Sequence, residues 1–478
     1  MRQFKEIKKR LINEILSAVS SKTFIVSTTI VGSFMNSPGI EGISDIDIVI
    51  IVDELTKSKF ENINNSFKKI LSSQIGLNDF DILINNTFGP LKFDNGKNIV
   101  FHLMIYDIKG HIDHVEQSPF TCFSWENFKP IHGISLREVY PVLNLQIKDI
   151  TDSRRGISSY IKDVENGVIT YRKYSFIKEN PIVIKDELKL DSKHILEYSY
   201  HITYNLLNNF YKIITREVDS LEIKKLILFY LNFELFPRNN INFFNDLFLW
   251  KRKQSSPPRG VMEKTKLFVS DFFSFVQTIK SSTNITSFRR HEKTELNDGS
   301  FLGIKRDPSI IEDSKKISDF KYQIGYHSEL KRSKETILRF NVSSIIESSL
   351  LNEIDYGLAE GMDIVKLSLN FPDIISYWGE KEDPKFPEGE CQNDVLIRIR
   401  KFLNKDLETN KNCLIITHLV VLRMLLFHYL KLDFKNLFKI RLEHLEGFDV
   451  LNFNKFQSVE ISNETREMIR KQLSIIND

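Results

Sequence analysis

The chain has 478 residues, 41% of them hydrophobic and 27% charged, an ordinary globular balance with apolar material for more than one core. At about 100–200 residues per domain, that length points to two to four domains. A formal net charge of +3 is far too small to argue for a nucleic-acid partner.

In chain order, residues 1–20 read as an amphipathic helix and the β-branched run 23–31 as a strand. Gly32-Ser33 and a polar loop follow, then a strand at 46–52, a helix at 57–71 and strands at 79–85 and 99–107. That is a small α/β unit with a mixed sheet. From about 150 to 280 the periodicity turns helical, with apolar-faced helices at 194–214, 221–236 and 261–279. Tyr198, Tyr200, His201 and Tyr204 on the first of these read as core. Residues 281–284 read as a linker, and strands and helices then alternate to the end, the pattern of a mostly parallel sheet. The expected divisions are 1–120, a mostly helical 121–283, and 284–478. The three cysteines, Cys122, Cys391 and Cys413, form no CxxC or Cys/His cluster, so neither zinc nor a disulfide framework is expected. The N-terminus lacks the continuous apolar run of a signal peptide. The apolar stretch 413–430 contains His418, Arg423 and His428 and is too short to span a bilayer. A cytoplasmic protein with no membrane partner is expected.

Two segments carry chemistry. In the C-terminal part, Arg290-His291 leaves a strand, with Thr294 and Asn297 just behind, and Thr417-His418 follows a late apolar strand. An imidazole attacks phosphorus only when neutral and held in one tautomer, and a phosphate dianion must be met by fixed cations. Arg290 and Arg332 offer planar forks that bind two phosphate oxygens at once. Glu353 is a candidate acid for the leaving alkoxide.

These motifs, in this order, resemble the histidine phosphatase (phosphoglycerate mutase-like) superfamily over about residues 285–450. Arg290-His291 with Thr294, Asn297, Gly303 and Asp307 looks like its first motif and phosphate loop. Arg332 with Thr336 looks like its second-arginine motif. Residues 351–361 resemble its acid-bearing segment, Pro387-Glu388-Gly389-Glu390 its Gly-Glu turn, and Thr417-His418 its late histidine. The resemblance implies an α/β/α domain with His291 as phosphohistidine nucleophile. It implies Arg290, Arg332 and His418 as phosphate ligands, Glu353 as proton donor, and no cofactor. One departure stands out. The family pattern has Gly after the nucleophile, where this chain has Glu292. A side chain there is expected to crowd the backbone near the phosphate, and its charge to repel a dianion.

In the N-terminal part, Gly32-Ser33 precedes Ser44-Asp45-Ile46-Asp47 and an apolar strand. Residues two apart on a strand face the same side, so Asp45 and Asp47 can point together at a divalent cation. Gly32-Ser33 at a strand end lets backbone N–H groups approach a triphosphate. This arrangement resembles the DNA polymerase β-like nucleotidyltransferase superfamily over residues 20–110. The resemblance implies Mg2+ or Mn2+, an NTP substrate and a third carboxylate on a later strand. Asp81 is the first choice for that carboxylate, with His102 and Asp107 as rivals. A following helical domain often helps to hold the acceptor in that superfamily.

The leading expectation is therefore a bifunctional enzyme. One part would transfer a nucleoside monophosphate from an NTP to a small phosphorylated acceptor, and the other would hydrolyse a phosphomonoester. The alternative is a regulatory or defence nucleotidyltransferase that modifies a protein or RNA, with the phosphatase-like domain sensing or reversing it. The base, the acceptor and the oligomeric state have no signature in the sequence.

Overall fold

The computed structural model describes residues 2–36, 45–89, 98–190, 192–217, 223–233, 236–252, 258–311, 316–379, 382–453 and 456–477. Ser44 of the Ser-Asp-Ile-Asp motif lies outside these, as do parts of the expected helix 221–236. Two compact units divide the chain, essentially Met1–Gln277 and Thr278–Leu473.

The first helix of the N-terminal unit, Arg2–Val19, brings Ile7, Leu11 and Ile15 to one face at helical spacing, and all three are buried. They cover a five-stranded sheet of β1 (Ile25–Val31), β2 (Asp45–Val52), β3 (Asp81–Asn85), β4 (Asn98–Asp107) and β5 (His132–Gly133). The strand order is β3-β4-β2-β1-β5. β4 runs parallel to both β2 and β3, while β1 is antiparallel to β2 and to β5. Ile46, Ile48 and Ile50 of β2 join the helix-covered core, whereas Val49 and Ile51 face a second cluster with Met104, Tyr106 and Leu136. Burial on both faces explains why β2 is apolar from Ile48 onward.

The segment expected to be helical contains a hairpin. β6 (Val168–Ile177) and β7 (Asn180–Lys189) pair antiparallel along their whole length. Their alternation of polar and apolar residues is a strand signal, overlooked among longer helical runs. The backbone of Arg172 exchanges two hydrogen bonds with Phe88, at 2.7 and 2.8 Å, which ties the hairpin to the loop after β3. This segment thus shares one compact unit with the first sheet. Helices Ser192–Thr215, Ile223–Leu231, Arg238–Arg252 and Val261–Ser282 complete the unit around a Phe-rich core that includes Phe210, Phe236, Phe272 and Phe275. The last helix runs to Ser282 and the next strand begins at Asn284, so the expected linker shrinks to Thr283.

The C-terminal unit is built on β8 (Asn284–Arg290), β9 (Ser318–His327), β10 (Phe340–Glu347), β11 (Cys413–Thr417), β12 (Gly447–Phe453) and β13 (Phe456–Glu460). The order is β10-β9-β11-β8-β12-β13. The first four strands are mutually parallel, and β12 and β13 close the edge antiparallel. β11 is fully buried. Registers pair Thr417 with Arg290 and Ile416 with His327, so the residues after three parallel strands meet at one sheet end. Open α/β sheets bind ligands at such carboxyl ends. Among the described residues, no helix is long and apolar enough to cross a membrane.

Candidate active sites

In the C-terminal unit the end of β8 delivers His291, whose backbone N–H donates to the Thr417 carbonyl at 2.9 Å. Its Nδ1 lies 2.6 Å from the Glu292 carbonyl oxygen. A carbonyl only accepts, so Nδ1 carries the proton and Nε2 keeps its lone pair. Burial, with the nearby Arg332 and Arg290, holds this imidazole well below its ordinary pKa. His291 is therefore neutral and fixed in one tautomer.

The predicted phosphate ligands surround it. Arg290 Nη1 donates to the Leu442 carbonyl at 2.7 Å, and Arg332 Nη2 to the Gly303 carbonyl at 2.8 Å. Arg290 is thus anchored to backbone through one nitrogen, and Arg332 through two, since its Nη1 also donates to the Arg306 carbonyl at 3.3 Å. His418 Nε2 meets Ser328 Oγ at 2.8 Å, and its ring centroid is 5.0 Å from that of His291. Three polar atoms here are buried without a partner: Nε of Arg290, Nε of Arg332 and Nδ1 of His418. Such orphaned groups are rare and cost about 1–3 kcal/mol each. Three of them around one imidazole suit the binding of an anion.

Glu353 is buried, and its Oε1 accepts the Ile354 N–H at 2.9 Å. Burial raises its pKa, against the opposing pull of Arg332, Arg290 and Arg398. The carboxyl therefore holds its proton above the usual range, as an acid must. Its segment is braced by the Gly-Glu turn. A Cβ on Gly389 would lie 2.3 Å from the Asp355 carbonyl, and one on Gly357 would lie 2.0 Å from the Pro387 carbonyl. Glu390 accepts the Asp355 N–H at 3.0 Å and pairs with Arg398 at 3.1 Å.

Glu292 fits its place by other means than expected. Its residue is not among those with positive φ, so the backbone does not demand glycine there. Its carboxylate forms an ion pair with Arg339. Its N–H donates to Thr336 Oγ1 at 3.0 Å. Thr294 and Asn297 bond to each other, with Asn297 Oδ1 accepting from the Thr294 N–H at 2.7 Å and hydroxyl at 2.9 Å. Asp307 accepts the Lys331 N–H at 2.7 Å and faces Arg332 at 3.4 Å. Three neighbours had no sequence signal. Ser328 orients His418. His444 Nδ1 donates to the His291 carbonyl at 2.8 Å. Arg423 is pushed down to about 10 by burial and interacts with Tyr356, Glu353 and Arg290.

In the N-terminal unit Asp45 and Asp47 lie on one face of β2, and a ligand atom of each comes within 4.8 Å of His102 on β4. Asp47 and His102 are direct register partners. His102 Nδ1 is 2.7 Å from Asp47 Oδ1, and Nε2 is 2.7 Å from the Thr87 carbonyl. With both nitrogens engaged, His102 orients Asp47 rather than offering a free ligand atom. Gly32 has φ +78, and a Cβ there would sit 2.7 Å from Asp47 Oδ2. Only glycine permits that approach. Ser33 begins the short helix Ser33–Asn36.

Asp81, expected as the third ligand, stands apart. It is exposed and pairs with Asn98, four positions before His102 on β4, a displacement of about 13 Å at strand rise. Asp107 caps the helix Ile108–Gln117, accepting the Gly110 N–H at 2.6 Å. Two carboxylates on one strand face are the oxygen-donor chemistry that a divalent cation takes, and Gly32 lets the chain pass close to one of them.

Residues 290–461 match the family model of the histidine phosphatase superfamily (branch 1). The chain is similar to fructose-2,6-bisphosphatase of Saccharomyces cerevisiae, 30% identical over 104 residues, or 22% of this chain and 23% of that protein. It is also similar to 6-phosphofructo-2-kinase/fructose-2,6-bisphosphatase 4 of Homo sapiens, 31% identical over 104 residues and 22% of each chain. The chain thus spans about a quarter of the length of these curated relatives. Among solved structures, the alpha-ribazole phosphatase from Shigella flexneri aligns with 38% of this chain and 96% of its own, at 20% identity and a TM-score of 0.31. Residues 290–461 form a histidine phosphatase domain.

Proposed function

We propose that the chain is a bifunctional enzyme, a phosphomonoester hydrolase in its C-terminal unit and a metal-dependent nucleotidyltransferase in its N-terminal unit. The hydrolase reading rests on one observation above all. A neutral histidine with a free Nε2 sits among three buried, unpartnered nitrogens of Arg290, Arg332 and His418, the last a donor when Nε2 accepts the Ser328 hydroxyl proton. His291 Nε2 attacks the phosphorus while the three donors hold the phosphoryl oxygens. The ester P–O bond breaks, and Glu353 gives its proton to the leaving oxygen. Glu353, now a carboxylate, takes a proton from water as that water attacks the phosphohistidine, and phosphate leaves. The relatives named for fructose-2,6-bisphosphate favour a sugar phosphate as substrate. Hydrolysis of p-nitrophenyl phosphate should vanish in His291→Ala, and an acid-labile phosphoenzyme should form in the wild type. Full turnover by His291→Ala would end this reading.

The nucleotidyltransferase reading rests on Asp45 and Asp47 sharing one strand face under Gly32. These carboxylates would hold a divalent cation, which would offset triphosphate charge and polarise the α-phosphoryl group. The Gly32-Ser33 backbone would meet the phosphates, and His102 keeps Asp47 in place. The reaction joins an acceptor oxygen to the α-phosphorus and releases pyrophosphate. Incubation with each NTP, magnesium and phosphorylated acceptors should release pyrophosphate in the wild type and not in Asp45→Ala/Asp47→Ala. Transfer retained by the double variant would rule the site out.

A further inference from the structure

The N-terminal unit contains a cavity of about 320 Å3, and His102, the partner of Asp47, is part of its wall. That volume is in the range of small-molecule sites, about 300–1,000 Å3. The wall draws on β4, β6, β7 and the helices that follow the first sheet. Its charge is lopsided. Arg154 and Arg155 come from the turn before helix Ile157–Asn166, and Arg172 from β6. Among the described residues, none of these guanidinium groups forms an ion pair. Lys185 adds a fourth cation, and Asp163 is the single carboxylate in the wall, already accepting from the Tyr198 hydroxyl at 2.6 Å. Burial and the proximity of Arg172 push Arg154 down to about 10. Asp113 offsets part of the Arg154 charge without forming an ion pair with it, and partly buried cations that repel one another are costly unless an anion joins them.

The rest of the wall mixes aromatic residues, among them Tyr106, Trp125 and Tyr160, with small polar ones, and it holds orphaned polar groups. Tyr106 Oη and both ring nitrogens of His114 are buried and have no partner. The two side chains belong to residues only 4% and 5% exposed, and both line the cavity. The His114 ring stacks on Trp125 with centroids 5.1 Å apart. Burial, with Arg172 and Arg154, keeps His114 neutral, so it offers one donor and one acceptor. No side chain caps the first turn of helix Ile157–Asn166, and Ser159 of that turn faces the same space.

We propose that this cavity binds a ring-bearing phosphomonoester, a sugar phosphate or a nucleotide, as the acceptor for nucleotidyl transfer. Its phosphate meets Arg154, Arg155 and Arg172, and its ring polar groups meet Tyr106 and His114. The acceptor role rests on the nucleotidyltransferase reading; the binding itself does not.

Calorimetric titration of the full chain tests this, with His291→Ala as the background to stop turnover. The probes are ribose 5-phosphate, AMP and inorganic phosphate. Two binding sites are expected. Arg332→Ala should remove one. Arg154→Ala/Arg172→Ala should weaken the other by about tenfold or more, as expected for lost charge-assisted bonds. Arg154→Lys/Arg172→Lys keeps the charge and the fold but loses the fork, and should still weaken it. The preferred ring-bearing probe tells sugar phosphate from nucleotide, and tighter binding of inorganic phosphate than of either would overturn the proposal. So would a single site removed by Arg332→Ala, or a second site indifferent to both arginine pairs. Asp45→Asn/Asp47→Asn should leave this binding intact while abolishing pyrophosphate release. Binding in a wild type that transfers from no NTP would remove the acceptor role and leave the site.

Discussion

The ion pair between Glu292 and Arg339 is the sharpest test of how this phosphatase domain tolerates a carboxylate beside the proposed nucleophile. The two side chains are 8% and 12% exposed, so both charges have been taken out of water. Arg339→Met should leave the Glu292 carboxylate buried without this ion pair, at a cost of about 3–5 kcal/mol. Glu292→Gln should strand the Arg339 charge in the same way. Together the two changes remove both charges, and the double variant should regain most of the loss. The expected coupling is therefore several kcal/mol, against near zero for independent sites. For a unit of this size, a loss of about 3 kcal/mol lowers the midpoint by roughly 6–12 °C. Thermal inactivation of p-nitrophenyl phosphate hydrolysis reports on the C-terminal unit alone and is the assay of choice. Arg339→Met should also lower kcat/KM, because the freed carboxylate, one residue from His291, repels the incoming dianion. That loss should shrink in the double variant. Additive single effects, or a stable and fully active Arg339→Met, would refute the argument.

Four further outcomes are expected. Glu353→Gln should slow phosphoenzyme formation from substrates with alkoxide leaving groups by about 10²–10⁴ while sparing its formation from p-nitrophenyl phosphate, whose leaving group needs no proton; equal losses in that first step would remove Glu353 as the acid. Gly32→Ala should weaken Mn2+ binding measured by electron paramagnetic resonance, because its Cβ would lie 2.7 Å from Asp47 Oδ2. Asp81→Asn should leave that binding unchanged, whereas Asp47→Asn should abolish it; the reverse would reinstate Asp81 as a ligand. Acid should destabilise the N-terminal unit in a defined window. Burial lowers His111 to about 4 in the folded state, so between about pH 6.5 and 4 the unfolded chain takes up a proton that the fold refuses. Stability is thus full above the unfolded pKa and falls with pH by about 3 kcal/mol from this residue. His111→Phe should flatten that part of the profile by differential scanning calorimetry.

Much of the phosphatase centre was legible in the chain because its chemistry sits in short local motifs. Arg290-His291 and Thr417-His418 each end a strand, and parallel strands in register carry such ends to one place. Asp45 and Asp47 were legible for a similar reason, since the two-residue period of a strand fixes their common face. The hairpin at 168–189 was legible in principle, but its alternation was outweighed by the helices around it. The Glu292 substitution was visible, and its consequence was not. Arg339 is 47 positions away, and nothing local marks it as the partner.

What the sequence alone determined, then, is the residue types and their local order: a histidine with its arginines, a carboxylate pair under a glycine, and apolar runs long enough to bury both sheets. The tertiary structure decided which partners each of them meets. Register along β4 put His102, and not Asp81, beside Asp47. The fold gathered Arg154, Arg155 and Arg172 around a cavity whose wall includes the same His102. Strand period and motif spacing are local and can be read along a chain. Pairing across strands and charge gathered from distant elements arise only when the chain closes on itself.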